Sequence, residues 1–392
     1  MAEVWLSIIG LNEDGLAGLS SASREALERA EIVFGAPRHL ALVGVAGREW
    51  GVPFSVVPVL AERGRRVAVL ASGDPFWHGA GGSLAGYLEP GEWISYPALS
   101  TFALACNCLG WRMEEVICLG LHAAPLARLR PALARGQKVI CLLRDGAAVA
   151  ELGAFLVSTG FGASGFQVLE AMGGPRERIV KIAPEDAVTE RFSTPVAVAL
   201  DCVGRGMPRA SGLPDDLFAH DGQITKRAVR ALTLSTLAPR GGEILWDLGS
   251  GSGSVSIEFL LAAPGSVAHA VEADKTRGER AWGNAESFGL THRWHLHSAK
   301  AAEVVGDLPA PDVVFVGGGA SESMLERVWG LLPQGARLVV NGVTLETEAL
   351  LYRWHGLHGG ALLRIDLAEA GPLGSKRGWE ATRPVVQWSV VK

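Results

Sequence analysis

The stretch Glu243-Ile244-Leu245-Trp246-Asp247-Leu248-Gly249-Ser250-Gly251-Ser252-Gly253-Ser254-Val255-Ser256-Ile257-Glu258 constrains this chain more than any other. An apolar run with an acidic residue near its end, three glycines at alternate positions and a helix-forming segment predict the strand, tight turn and helix of an α/β ligand-binding crevice. Glycines in such a turn let the backbone take positive φ and let a ligand lie against bare main chain, which a Cβ would obstruct. A second predicted strand, Val267 to Val271, ends at Glu272, nineteen residues past Gly253. A carboxylate there is placed to accept hydrogen bonds from the two hydroxyls of a ribose.

The glycine count separates the ribose-bearing cofactors. A dinucleotide fingerprint, Gly-x-Gly-x-x-Gly, needs a third glycine at position 254, where this chain has Ser254. The pattern present, Asp247-x-Gly249-x-Gly251-x-Gly253, resembles motif I of the class I S-adenosylmethionine (SAM) methyltransferases. The resemblance implies a SAM site built from Asp247, Gly249, Ser250, Gly251, Ser252, Gly253 and Glu272. Thr225 would line it from ahead of the motif, and Ser298 and Ala299, at a later strand end, would touch the adenine. Thr225 is also the natural N-cap of a helix predicted from Gln223 to about Leu237, and the two roles can coexist.

Beyond Glu272, predicted strands alternate with helices at the spacing of a parallel doubly wound sheet, whose ligands sit past the carboxyl ends of the strands. Gly317-Gly318-Gly319 falls at one such end, where a methyl acceptor should lie, and Gly317 and Gly318 are candidate substrate positions. Methyltransferases acting on exocyclic amines usually carry Asn/Asp-Pro-Pro-Tyr/Phe at this point; bare backbone suits a large flat acceptor. His269, His292, His295 and His297 form a group without an acidic or cysteine partner at ligand spacing, so no metal is expected, although His297 could serve as acid or base. The tail from Gly374 to Pro384 reads as a solvated hairpin; alternatively Lys376, Arg377 and Arg383 hold carboxylates of an acidic substrate.

The first half carries a second, separate pattern. Gly10 to Gly15, Ala30 to Arg38, Ala71-Ser72-Gly73-Asp74-Pro75 and Tyr96 to Phe102 together resemble the tetrapyrrole methylases, a different SAM-dependent fold of two α/β subdomains around a cleft. By that resemblance Gly73, Asp74 and Pro75 shape a cofactor site that Thr101, Leu121 and Met172 close. The opening turn departs from the pattern, since Gly10-Leu11-Asn12-Glu13-Asp14-Gly15 lacks a central proline, which leaves Asp14 without an assigned role. Arg176-Glu177-Arg178 reads as solvated surface.

At 392 residues the chain can hold two or three cores, and 48% hydrophobic with 20% charged residues fits sheets buried on both faces rather than disorder. Its balance, 36 − 41 = −5, argues against a nucleic-acid-coating surface. There is no uninterrupted apolar run of about eighteen residues, so no membrane partner is expected. Val4 to Gly10 begins a strand with no basic leader or cleavage site before it, and the five cysteines lack metal spacing. Buried reduced thiols in a cytoplasmic protein are expected. Gly, Pro, Asp and Ser crowd residues 206–222, read as a linker between a methylase domain at 1–205 and a class I SAM domain at 223–392.

Taken together, the chain resembles the bifunctional C-methyltransferases of cobalamin biosynthesis, the resemblance extending to Phe218-Ala219-His220-Asp221-Gly222-Gln223 at the junction and Thr344-Leu345-Glu346-Thr347 further on. It implies two SAM sites, one per domain, and a polycarboxylate tetrapyrrole substrate. The first domain would methylate carbon 5 of a precorrin-6 intermediate; the second would methylate carbon 15 and decarboxylate the ring C acetate chain, giving precorrin-8. A homo-oligomer is expected. Other tetrapyrrole, small-acid or RNA methyltransferases, an oxidoreductase, and a non-catalytic SAM sensor in the first domain stay open at this level.

Overall fold

The central strands of the three larger sheets form where β-branched and aliphatic residues run continuously, because those strands are buried. The structure, a computed structural model, describes residues 4–392. In the first half, β1 (Leu6–Leu11), β2 (Ile32–Gly35), β3 (Arg48–Glu49), β4 (Val67–Ser72) and β5 (Trp93–Tyr96) make a sheet of order β3-β2-β4-β1-β5, parallel throughout. Its faces are closed by two separate apolar clusters, one around Leu6, Ile8 and Val69, the other around Ile9, Ala68 and Leu70. That alternation along β1 and β4 is the period-two pattern of a doubly covered strand.

A second sheet follows, of order β6-β7-β10-β8-β9, from β6 (Val116–Gly120), β7 (Lys138–Leu142), β8 (Gly165–Glu170), β9 (Arg178–Ile182) and β10 (Val196–Asp201). Only β6 and β7 run parallel; the rest pair antiparallel. The Arg176–Arg178 stretch is exposed, as expected, but two of its charges also reach inward. Arg178 opens β9 and ion-pairs at 3.0 Å with Glu170, and Arg176 reaches Glu13 at 2.7 Å. Both carboxylates are buried, and a buried charge needs a partner.

The second half is built on a seven-stranded sheet of order β13-β12-β11-β14-β15-β19-β16. Its members are β11 (Ile244–Leu248), β12 (Val267–Val271), β13 (Trp294–His297), β14 (Val313–Val316), β15 (Arg337–Gly342), β16 (Ala361–Ile365) and β19 (Val385–Val391). The first five in that order are parallel, as the alternating pattern predicts, whereas β19 and β16 add an antiparallel edge. Between those two edge strands, β17 (Ala368–Leu373) and β18 (Lys376–Ala381) stand as a separate two-stranded hairpin. A buried polar cluster fixes the antiparallel return. Asn341 Nδ2 donates to Thr233 Oγ1 at 2.9 Å and Gln387 Nε2 to Asn341 Oδ1 at 2.9 Å, with Asn341 directly opposite Gln387 in the register.

The chain divides into two compact units, Met1–Leu126 with Ala132–Gly206 and Ala127–Pro131 with Met207–Lys392. Part of the stretch 206–222, whose composition reads as a linker, is packed: Leu213 and Phe218 lie in the core of the second unit. Glu258 holds them there, accepting from the amides of Gly212 at 2.7 Å and Leu213 at 2.9 Å. Thr225 does not cap the next helix, which spans Arg227–Leu237 with Lys226 at its N-cap and no side-chain cap bond. Of the cysteines, Cys106, Cys141 and Cys202 are buried, but Cys108 is exposed, because it sits on the outward side of the helix Thr101–Leu109. Among the described residues no helix is long and apolar enough to cross a membrane.

Candidate functional site

Each unit has its own cavity. In the second, strand order reverses between β11 and β14, the point where an open α/β sheet parts its loops and leaves a crevice. A cavity of about 620 Å³ opens there, past the carboxyl ends of the strands. Gly249, Ser250, Gly251 and Ser252 form one wall, Gly317 and Gly318 another, and Thr225, Glu272 and Ala299 complete it.

The glycines have separate tasks. Gly249, Gly251 and Gly253 sit at φ +73°, +57° and +72°. At Gly249 a Cβ would come 3.1 Å from the Gly318 carbonyl oxygen, so the two bare turns approach closely. Gly253 does not line the cavity; a Cβ there would meet Trp294 at 3.2 Å, and its task is to start the helix Ser254–Ala262 against that ring. Glu272 braces the loop that it faces. Its Oε2 accepts from the Gly251 amide and its Oε1 from the Asp274 amide, both at 2.9 Å, leaving further lone pairs toward the cavity.

Asp247 does not line the cavity. It is buried, and its carboxylate oxygens make no well-formed hydrogen bond, with the Ser256 hydroxyl and amide only partly favouring the ionised form. Burial pushes its carboxyl up to about 6. Ser298 likewise stays out of the wall that Ala299 enters. His297 faces His269 instead, its ring stacked on that of His269 with Nε2 3.0 Å from His269 Nδ1, and the His295 ring lies tilted 5.3 Å from His269 on the same sheet face. Burial, then the neighbouring His297 and His295, bring His269 down to about 4. His292 lies apart on the exposed turn before β13, so the predicted group of four is a group of three. Among the described residues no cluster has metal-ligand geometry. Lys376, Arg377 and Arg383 are exposed, the first two on the hairpin strand β18 and Arg383 just beyond it; none lines the cavity.

Sequence reasoning missed Gln223, Arg277 and Lys300, which also line this cavity. Asp221 ties two of them together, accepting from the Gln223 amide at 3.0 Å and from Arg277 Nε at 2.9 Å. Those donors, with Arg280, hold its carboxyl down to about 2. Asn284 is a further support, donating to the Ser252 and Ala219 carbonyls at 2.9 Å. Nothing in local spacing marks these residues, since they meet only through the packing of residues 207–222.

The first unit's cavity, of about 220 Å³, is lined from both of its sheets. Gly73, Asp74, Thr101 and Met172 line it; Pro75 and Leu121 do not. Gly73 takes φ +55°, and a Cβ there would press on Leu99 O at 3.0 Å. Gly10 serves the same turn, because a Cβ on it would fall 2.1 Å from the Gly73 carbonyl oxygen. Asp74 Oδ1 accepts from the Phe76 amide at 2.9 Å, fixing the turn, and Ser100 caps the helix that begins at Thr101. Asp14 caps nothing with its side chain and lies outside the lining; it packs against Gly18.

Glu13, Arg38, Trp77, His78 and His122 also line this cavity and were not anticipated. Glu13 is ion-paired with Arg38 and Arg176. Burial, followed by the Arg38 charge, brings His39 down to about 4, and its Nε2 lies 2.9 Å from Ser72 Oγ. His78 had a signal, standing three residues after the Gly-Asp-Pro turn; His122 had none.

Comparison with known proteins follows the same division. Residues 6–186 match the model of the Tetrapyrrole (Corrin/Porphyrin) Methylases, and residues 216–392 that of the Precorrin methyltransferase domain. A curated relative from Sinorhizobium sp, named precorrin-6Y C(5,15)-methyltransferase (decarboxylating), is 43% identical over 99% of this chain and 96% of its own length. One of the same name from Mycobacterium tuberculosis is 36% identical over 98% of this chain and 99% of its own. The crystal structure of the C-terminal domain of precorrin-6Y C5,15-methyltransferase from Rhodobacter capsulatus is 50% identical, covering 47% of this chain and all of that one, with a TM-score of 0.46. With near-complete coverage at that identity, the chain belongs to the family of the decarboxylating precorrin-6Y C(5,15)-methyltransferases.

Proposed function

We propose that the chain methylates carbons 5 and 15 of a precorrin-6 macrocycle and removes carbon dioxide from its ring C acetate chain, giving precorrin-8. The first unit acts at carbon 5, the second at carbon 15 and in the decarboxylation. What carries this reading is the pair of cavities, each set at strand ends behind positive-φ glycines, in two differently ordered sheets. Each unit takes its own SAM.

The residues fit that cofactor. In the second cavity Ser250 Oγ is buried without a partner and Glu272 keeps acceptor capacity, so a polar ligand satisfies both. Thr225, Gly251, Ser252 and Ala299 would complete its bed, and in the first unit Gly73, Asp74, Thr101 and Met172 would do the same. Bound SAM supplies an already activated sulfonium methyl. The protein's part is to align the acceptor carbon and exclude water, which is why walls of bare glycine such as Gly317 and Gly318 suffice beside a flat macrocycle. The conjugated ring takes up the electron pair released when the carboxylate departs. Lys300 and Arg277, at the second cavity, are better placed for substrate carboxylates than Lys376, Arg377 or Arg383. The reading includes a cytoplasmic homo-oligomer without a nucleic-acid or membrane partner. In its favour Leu345 and Tyr352, seven residues apart on one helix, are 80% and 70% exposed.

The test uses the full chain with SAM and the reduced precorrin, counting methyl groups and carbon dioxide by mass spectrometry. Wild type gains two methyls and loses one carbon dioxide. Gly73→Val, which fills the first turn, removes the carbon-5 methyl; Gly251→Val removes the carbon-15 methyl and the decarboxylation. A Gly73→Val chain that still methylates carbon 5, or a Gly251→Val chain that still methylates carbon 15, overturns the assignment.

A further inference from the structure

Two imidazoles share the cavity of the first unit. His78 comes from the turn after β4 and His122 from the turn after β6, and their ring centroids stand 6.3 Å apart in an edge arrangement. His78 is held at φ +58°, a left-handed backbone conformation that a non-glycine residue keeps only where its surroundings compel it. Those surroundings are visible. Phe102 packs on the His78 ring at 6.2 Å, and Gly120, the last residue of β6, leaves room for it: a Cβ on Gly120 would fall 3.0 Å from His78 Nδ1. Three separate elements thus aim one strained side chain into the cavity beside a second imidazole.

The other ionisable groups of the lining are engaged. Glu13 is held by Arg38 and Arg176, and Asp74 by the Phe76 amide, while His39 behind the wall lies against Ser72. Burial, then His78, keep His122 below its ordinary value, so its ring is uncharged near neutrality. The titratable groups on this cavity that can influence it are His78, Arg38, Glu13 and Asp74.

We propose that His122, backed by His78, accepts the proton that carbon-5 methylation releases. The proposal rests on the reading that the first unit methylates carbon 5. A macrocycle carbon takes the methyl through a new C–C bond formed from a ring π pair, as the S–CH3 bond breaks and its electron pair stays on sulfur, leaving a neutral thioether. The macrocycle is then one charge more positive. Breaking one of its N–H or C–H bonds returns that bond's pair to the π system, and the proton moves to the imidazole nitrogen, from which it passes to solvent.

The experiment compares full-length wild type with His122→Asn, His78→Asn and the double variant, assigning each methyl to carbon 5 or carbon 15. Asparagine is chosen at position 78 because it tolerates positive φ. His122→Asn should slow carbon-5 transfer by about 100-fold, with SAM affinity of the first unit by calorimetry changed less than about 3-fold. Carbon-15 transfer in the same chain should stay at its wild-type rate, which reports that the second unit is unaffected, while the retained SAM affinity reports that the first unit is folded. Wild-type carbon-5 transfer should fall on the acid side as the imidazole protonates; His122→Asn should lose that inflection, and added imidazole should restore part of the rate. Histidine ring NMR should place an acid-shifted titration at His122 in the protein without substrate. A double variant that keeps its carbon-5 rate and pH profile overturns the proposal, as does loss of SAM binding in step with activity. A wild type that methylates carbon 15 alone overturns the reading of the first unit, and the proposal with it.

Discussion

Asp247 is buried with its carboxylate only partly satisfied by Ser256, directly under the loop that it introduces. Burial raises its carboxyl to about 6, against about 3.9 in an unfolded chain. Between those values the native state binds the proton more tightly than the unfolded state, so stability falls as pH rises through the window. Above it the ionised carboxylate carries a penalty of about 2–3 kcal/mol. Asp247→Asn cannot ionise, so the variant should gain about 2–3 kcal/mol on wild type between pH 4 and pH 7 in urea unfolding of the second unit. A difference that stays flat with pH would mean that a partner compensates the charge. The residues flanking Asp247 were legible from spacing, because positive-φ turns strongly favour glycine. That Asp247 would point away from the cavity was not, since the pleat of β11 and the cover above it decide which face is wet.

Arg230, together with Glu258 and Asn284, ties the segment 207–222 to the second unit. Arg230, fully buried, donates through Nε to Glu258 at 2.6 Å, through Nη1 to Asp215 at 2.9 Å, and to the Leu213 and Thr225 carbonyls. It therefore sets the position of the Gln223 to Thr225 wall without touching the cavity. Arg230→Met would leave Glu258 buried and unpaired, which typically costs about 3–5 kcal/mol. The expected outcome is a destabilisation of that order in urea, together with faster amide exchange across residues 212–225. Adding Glu258→Gln to Arg230→Met should recover part of the loss, because the orphaned charge is the main penalty. If the single variant unfolds no more easily than wild type, the segment is held by Leu213, Phe218 and the Glu258 and Asn284 hydrogen bonds without need of Arg230. Composition reads this stretch as free chain because its anchors are few, far apart and set by a helix that follows it.

The two units have separate cores and separate cavities, so ligand linkage reads them independently. SAM at about 100 times its dissociation constant should stabilise a unit that binds it by about 2.7 kcal/mol. With two sites, both unfolding transitions of the full chain shift upward in scanning calorimetry; Gly251→Val should leave only the first unit's shift. A single shifted transition in wild type would reduce the count to one site.

What the amino-acid sequence alone determined is the part governed by local chemistry. Period-two and continuous apolar runs set the strands, Ser100 capped its helix, and the glycines at 73, 249, 251 and 253 marked turns whose positive φ side chains rarely adopt. Only the tertiary structure decided which distant groups meet. It brought His78 to His122, Glu13 to Arg176 and Arg230 to Glu258, turned β19 antiparallel, and docked Leu213 and Phe218 into a core. Such contacts depend on how whole faces pack and which charges burial forces into pairs, and that information is spread over the chain rather than carried by any one stretch of it.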